Sequence, residues 1–180
     1  MKRTLGFVFA ALLAGNAMAF DLTSPDPDVK TGKPMTSAQE YKGFGCKGDN
    51  LSPALEWKNV PAGTKSFAVT VYDPDAPTGS GWWHWVVYDI PATATGLPGG
   101  AVLKAALPAG AKQGRNDYGE RNFGGACPPM GDKPHHYIFT VYALKVDKIN
   151  VPEDASAALV GFNIQANRIG LAKLTTTYSR

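Results

Sequence analysis

The sequence predicts a single, mostly β domain. Three segments rich in β-branched and aromatic residues stand out: Ser66 to Tyr72, Trp85 to Ile90 and Tyr137 to Leu144. Twenty glycines and 14 prolines in 180 residues interrupt the chain too often for long helices. Helix-compatible sequence is confined to the stretch after Glu153.

Taken in order, the chain opens on Lys2 and Arg3, an apolar run from Leu5 to Leu13, and Ala17-Met18-Ala19. A basic start, a short apolar core and a small-x-small site read as an export signal cleaved after Ala19. A domain of residues 20–180 then follows. The run falls short of the roughly 20 apolar residues that span a bilayer, and no later segment is long enough to do so; an uncleaved anchor is the competing reading. The predicted compartment is the bacterial periplasm, with secretion second. Without Lys2 and Arg3 the 18 basic residues become 16 against 15 acidic. With no basic run or basic helix face, the sequence gives no purchase for nucleic acid.

Thr23 to Lys33 is rich in proline and charge and is expected along the surface. Ala54-Leu55-Glu56-Trp57 reads as a short strand, and Pro61-Ala62-Gly63-Thr64 turns into the next one. In Ser66 to Tyr72, Phe67, Val69 and Val71 alternate onto one face. Trp85 to Ile90 is nearly continuously apolar, as in a strand buried on both sides. Ala155 to Val160 and Asn163 to Ala172 are compatible with two short helices punctuated by Gly161 and Gly170. Glu153 and Asp154 would favour the first helix start. Leu174 to Tyr178 suits a last strand.

Cys46 and Cys127 both lie in glycine-rich loops. In an oxidising compartment an even pair suggests one disulfide. Such a bridge would contribute about 4 kcal/mol in the chain-entropy model. Two free thiols, or one at a ligand site, are the alternatives. No CxxC is present, so zinc and thioredoxin-like roles are not indicated.

The chemistry concentrates at strand ends. Asp73-Pro74-Asp75-Ala76-Pro77 is a proline-stiffened turn holding two carboxylates, and Trp82-Trp83-His84-Trp85 opens the next apolar run. The irregular segment from Pro91 to Pro134 is longer than compact domains keep without a functional reason. It ends at His135-His136-Tyr137. If the strands are neighbours, Asp73, His84, His135 and Tyr137 meet at one end of a sheet. Taken singly, each histidine is as readily a satisfied, partly buried side chain. Arg115 is either a surface partner of Asp117 or a second anion contact at the rim. Of Trp82, Trp83, Trp85 and Tyr118, some are expected to form an apolar lip and one or two to lie in the core.

These segments, with Cys127-Pro128-Pro129, occur in the order and spacing of the phosphatidylethanolamine-binding protein family, also called Raf-kinase-inhibitor-like. Asp49-Asn50-Leu51-Ser52-Pro53 with Trp57, Gly114 to Gly119 and Leu159 to Asn163 resemble its bacterial YbhB/YbcL-type branch. The paired cysteines and export signal are nearest the exported YbcL type. The resemblance implies a large central antiparallel sheet, a smaller sheet on one face and short C-terminal helices. It also implies an anion pocket for phosphate or a phospholipid head group. By position it assigns to that pocket Asp73, Pro74, Trp82, His84, Cys127, Pro128, His135 and Tyr137. Relatives point to a possible homodimer and a possible protein partner.

In such a pocket the histidines and Tyr137 can donate to an anionic oxygen. Backbone N–H groups near Cys127 can add to them. Asp73 must orient a histidine, be partly protonated or meet a cationic head group, and the first is preferred. With unperturbed histidines, anion affinity would rise on mild acidification. No nucleophile elbow or phosphate-cradling loop is present, so a binding protein without catalysis, cofactor or metal is expected. A kinase- or protease-inhibitor-like interaction protein is the first alternative. A hydrolase, with metal on His84, His135 and Asp73, is the second.

Overall fold

A computed structural model describes residues 18–100 and 107–180. The export signal lies outside the described residues, apart from Met18 and Ala19. Among the described residues, ten strands form three sheets, accompanied by one α-helix. β1 (Asp21–Thr23), β4 (Leu55–Lys58) and β7 (Gly96–Leu97) make a small sheet in the order β1-β4-β7. β2 (Lys42–Gly43) and β3 (Cys46–Lys47) form a short hairpin. β5 (Ser66–Asp73), β6 (Trp82–Pro91), β8 (Lys112–Gln113), β9 (His135–Leu144) and β10 (Arg168–Tyr178) build the central sheet, in the order β10-β9-β5-β6-β8. Every neighbouring pair in it is antiparallel.

The central sheet is covered on both faces. Phe67, Val69 and Val71 of β5 point to one side with Phe139 and Val141 of β9, packing against Leu22, Leu55, Trp57 and Leu97 of the small sheet. Ala68, Val86, Tyr142 and Leu144 point to the other, against Val160 and Ile164 of α1 (Ala157–Asn167). The period-two reading of β5 therefore holds for one face. The opposite face is buried as well, beneath the helix. Burial on both sides matches the continuous apolar run of β6.

Two expectations fail at the C-terminus. There is one helix, and it passes through Gly161, which lies against the Trp83 ring. Residues 168–172, expected to be helical, begin β10 instead. They pair with the end of β9 through an irregularity at Arg168 and Gly170. The helix starts at Ser156, whose hydroxyl accepts from Leu159 N–H at 3.2 Å. Glu153 and Asp154 precede that cap, and its first turn holds no acidic residue.

The segment after β1 runs along the edge of β10, with Gly32 and Met35 N–H donating to the Thr175 and Thr177 carbonyls. Val29, within this stretch expected at the surface, is fully buried. A disulfide joins Cys46 of β3 to Cys127. Among the described residues no helix is long and apolar enough to cross a membrane.

A buried polar pocket at one end of the central sheet

β5 ends at Asp73, beside Trp82 of β6, and one residue beyond the Tyr72–Ile138 pairing with β9. The end of one central strand thus lies between the starts of its two neighbours. Their registers alone would not bring His84 in. Val71 pairs with Trp85, but Tyr72 pairs with Trp83, so β6 bulges at His84. Two residues then oppose one, and the bulge re-aims a side chain that strict alternation would send to the helix face. His84 and Tyr137 meet edge to face, ring centroids 5.0 Å apart.

A pocket of about 160 Å³ results. Asp73, Trp82, His84, Cys127, Pro128, His135 and Tyr137 line it, joined by Phe44, Tyr118, Pro129 and Ala76 to Thr78. Two expected members lie elsewhere. Pro74 is exposed, because Asp73 Oδ1 accepts from Asp75 N–H at 2.8 Å and Ala76 N–H at 3.2 Å. That tight turn lifts Pro74 outward and carries Ala76, Pro77 and Thr78 to the wall. Arg115 is exposed and lines a separate depression with Asp154 and Ser156. Its expected partner Asp117 instead accepts from Trp83 N–H at 2.7 Å.

Asp73 orients His135 rather than His84. The two, nearly fully buried, meet at 2.7 Å between Oδ2 and Nδ1. The other His135 nitrogen faces Asp132 at 3.4 Å. Next door, Asp75 Oδ2 accepts from both the His136 backbone N–H and Nδ1, each at 2.7 Å. Partial burial pushes the Asp75 carboxyl up, but these bonds and the neighbouring imidazoles outweigh it and hold it below its ordinary value. The turn after β5 is thereby fastened twice to the start of β9.

His84 is held by the segment before the disulfide. Its Nδ1 lies 2.8 Å from Gly124 O and 3.1 Å from Gly125 O. Both glycines are required. A Cβ at Gly124 would stand 2.3 Å from the Tyr118 ring, and one at Gly125 2.2 Å from Gln39 O. Tyr118 also donates its hydroxyl to Gly125 O at 3.0 Å and stacks on Tyr41. The backbone N–H groups here are already committed: Gly124 to His84 O, Gly125 to Asn50 Oδ1, Ala126 to Gln39 O. The expected anion nest near Cys127 is therefore not available at these residues.

Three residues around the pocket carry buried polar atoms with no partner among the described residues: Trp82 Nε1, His84 Nε2 and Tyr137 OH. Buried polar groups are normally satisfied, so three orphans on one small cavity call for an explanation. Burial raises the Tyr118 and Tyr137 hydroxyls well above the ordinary phenol range, which keeps both protonated. Burial also depresses His84, to about 4, although the Gly124 carbonyl and Asp73 pull the other way. His84 is thus uncharged through the mildly acidic range, contrary to the expectation that gentle acidification would charge it.

Residues 25–179 match the sequence profile of the phosphatidylethanolamine-binding protein family. The chain belongs to that family. YbcL of Escherichia coli K12 is 58% identical over 167 residues, covering 92% of this chain and 90% of YbcL. YbhB of the same organism is 49% identical over 153 residues, covering 84% and 96%. The crystal structure of Escherichia coli YbcL superposes with a TM-score of 0.86 at 57% identity, over 91% of this chain and 99% of that one. The mostly β architecture is therefore that of the phosphatidylethanolamine-binding fold.

Two residues were not expected here: Phe44, which lines the pocket, and Asp132, which stands outside the lining and faces His135 Nε2. Phe44 sits between two glycines with φ of 52°, a left-handed backbone that turns a large apolar residue outward at the pocket mouth. Asp132 gave no signal beyond its place three residues before His135. A wider groove of about 880 Å³ runs along the small sheet, but Glu56 and Lys58, its charged residues, are exposed.

Proposed function

We propose that this chain is an exported binding protein without catalytic activity, whose pocket takes a small oxyanion such as a phosphate or phospholipid head group. The observation that carries the reading is the set of orphaned polar atoms on Trp82, His84 and Tyr137 beside the buried Asp73–His135 pair. A bound oxyanion would give those atoms partners and remove the cost of leaving them unpaired. Asp73 does not repel it strongly, because its charge is turned onto His135 and two backbone N–H groups.

Against catalysis stands the oxidation of Cys127, which leaves no thiol at the pocket, and the spending of His84 Nδ1 on backbone carbonyls. Export is supported by the N-terminal signal pattern and by the disulfide, which persists in oxidising compartments. The periplasm is the favoured destination. A protein partner or second copy would then act on, or alongside, a ligand-binding module.

Calorimetric titration of purified protein with inorganic phosphate tests the ligand reading. Saturable binding, lost in Asp73→Ala, is expected; no heat up to millimolar phosphate overturns it. Intact mass of the protein from a periplasmic extract tests export. A chain beginning at Phe20 is expected, and a full-length chain retained in the cytoplasm contradicts it.

A further inference from the structure

Resting on that reading for what enters the pocket, we infer that the pocket mouth docks on an anionic lipid bilayer, with Phe44 and Met130 as apolar prongs that enter its interface. The pocket then meets a head group without pulling the lipid out of the bilayer.

Phe44 is costly where it stands. β2 and β3 pair Gly43 with Cys46, so Phe44 and Gly45 form a two-residue hairpin turn. Both have positive φ, 52° and 81°. Primed turns of this kind take asparagine, aspartate or glycine first, because a left-handed backbone crowds a bulky side chain. The ring is also 71% exposed, with only its neighbours Tyr41 and Tyr118 beside it. Folding gains little from this side chain, and the backbone is strained to present it. Strain kept at the edge of a binding site points to a role outside folding.

Met130 is the second prong, 80% exposed and next to Pro129 of the pocket lining. Pro77 and Pro129 line the pocket and are exposed as well, so apolar surface rims its opening. The two prongs are fastened to each other. The Cys46–Cys127 bridge joins the hairpin to the Pro128 segment. Arg180 ties them again, Nε donating to Pro128 O at 2.6 Å and Nη1 to Gly45 O at 3.2 Å. Groups held this way lose little freedom on docking.

Charge decides what the prongs meet. Lys42 and Lys47 are paired across the hairpin, and Lys133 follows Met130 closely in the chain. All three are exposed, and none has a carboxylate partner among the described residues. Most neighbouring carboxylates are engaged: Asp75 with His136, Asp132 with His135, and Glu40 with the Tyr178 hydroxyl and Lys47 N–H. That leaves Asp49 against three lysines. Apolar tips flanked by lysines match the acyl boundary and the anionic head groups of a bilayer. Lysine is depleted at protein interfaces, which argues against a protein surface as the occupant.

The test is flotation of the intact protein with vesicles of phosphatidylethanolamine and phosphatidylglycerol, and with vesicles of phosphatidylcholine alone. Wild type should float with the first and more weakly with the second. Phe44→Asn and Met130→Ser should each lower the partition about tenfold or more. Phe44→Asn should melt no lower than wild type, because asparagine suits the turn. No flotation of wild type, undiminished flotation of both variants, or equal affinity for the two vesicles overturns the proposal. Self-association that Phe44→Asn abolishes, with vesicles ignored, overturns it in favour of a second copy. Titration with inorganic phosphate separates this proposal from the pocket reading. Met130→Ser should bind phosphate as wild type does while losing the vesicles. Phosphate binding without flotation of wild type overturns docking alone, and flotation without phosphate binding overturns the pocket reading alone.

Discussion

Replacing Tyr137 by phenylalanine should separate stability from binding. Tyr137 is 1% exposed and packs on His84 and the core between the central and small sheets, while its hydroxyl has no partner among the described residues. Leaving a buried hydroxyl unpaired costs about 1–3 kcal/mol. Tyr137→Phe keeps the ring and deletes only that unpaired group. The ligand-free protein should gain about 1 kcal/mol, raising Tm by about 2–4 °C for a domain of this size. Binding should move the opposite way. A hydrogen bond to a charged oxygen contributes about 1.5–3 kcal/mol, so the phosphate Kd should rise about ten- to a hundredfold. Scanning calorimetry in phosphate-free buffer reads the first effect and isothermal titration the second. A variant that melts several degrees lower and binds phosphate unchanged would refute the reasoning, because the hydroxyl would then be structural.

His84 makes stability pH-dependent. Its folded pKa of about 4 lies below the ordinary 6.5, so the unfolded chain binds more protons in that interval. Unfolding free energy should therefore be fully supported above about pH 6.5 and fall as pH drops towards 4, by up to about 3 kcal/mol from this residue; urea unfolding of wild type and His84→Gln should show a shallower slope in the variant. Reducing the Cys46–Cys127 bridge, or replacing both cysteines by serine, should cost about 4 kcal/mol by the loop-closure argument, read as a lower denaturant midpoint. Arg115→Ala should leave the phosphate Kd within about twofold, since Arg115 lies off the pocket; a tenfold loss in the same titration would restore it to the rim.

The central strands were legible because their burial is written locally. Alternation in β5 marks only the face on the small sheet, whereas continuous apolarity in β6 and β9 follows from a sheet covered on both faces. The C-terminus was less legible. Gly161 reads as a helix break, yet the helix runs through it, against Trp83, far away in sequence. Arg168 to Ala172 has no strong β signal, and pairing with β9 makes it a strand. The motifs gave the pocket's membership with two exceptions, Pro74 and Arg115. Both lie next to residues, Asp73 and Asn116, whose side chains accept backbone N–H groups, and those turns decide which way the neighbour points. The placing of the His84 ring could not be read from sequence. It needs a bulge in β6 and two carbonyls forty residues on.

The most direct test is a crystal structure of the protein grown with inorganic phosphate. One tetrahedral anion is expected between β5, β6 and β9, within hydrogen-bond distance of Trp82 Nε1, His84 Nε2 and Tyr137 OH. A pocket without the anion at saturating phosphate, or an anion held only by surface lysines and arginines, would contradict the account.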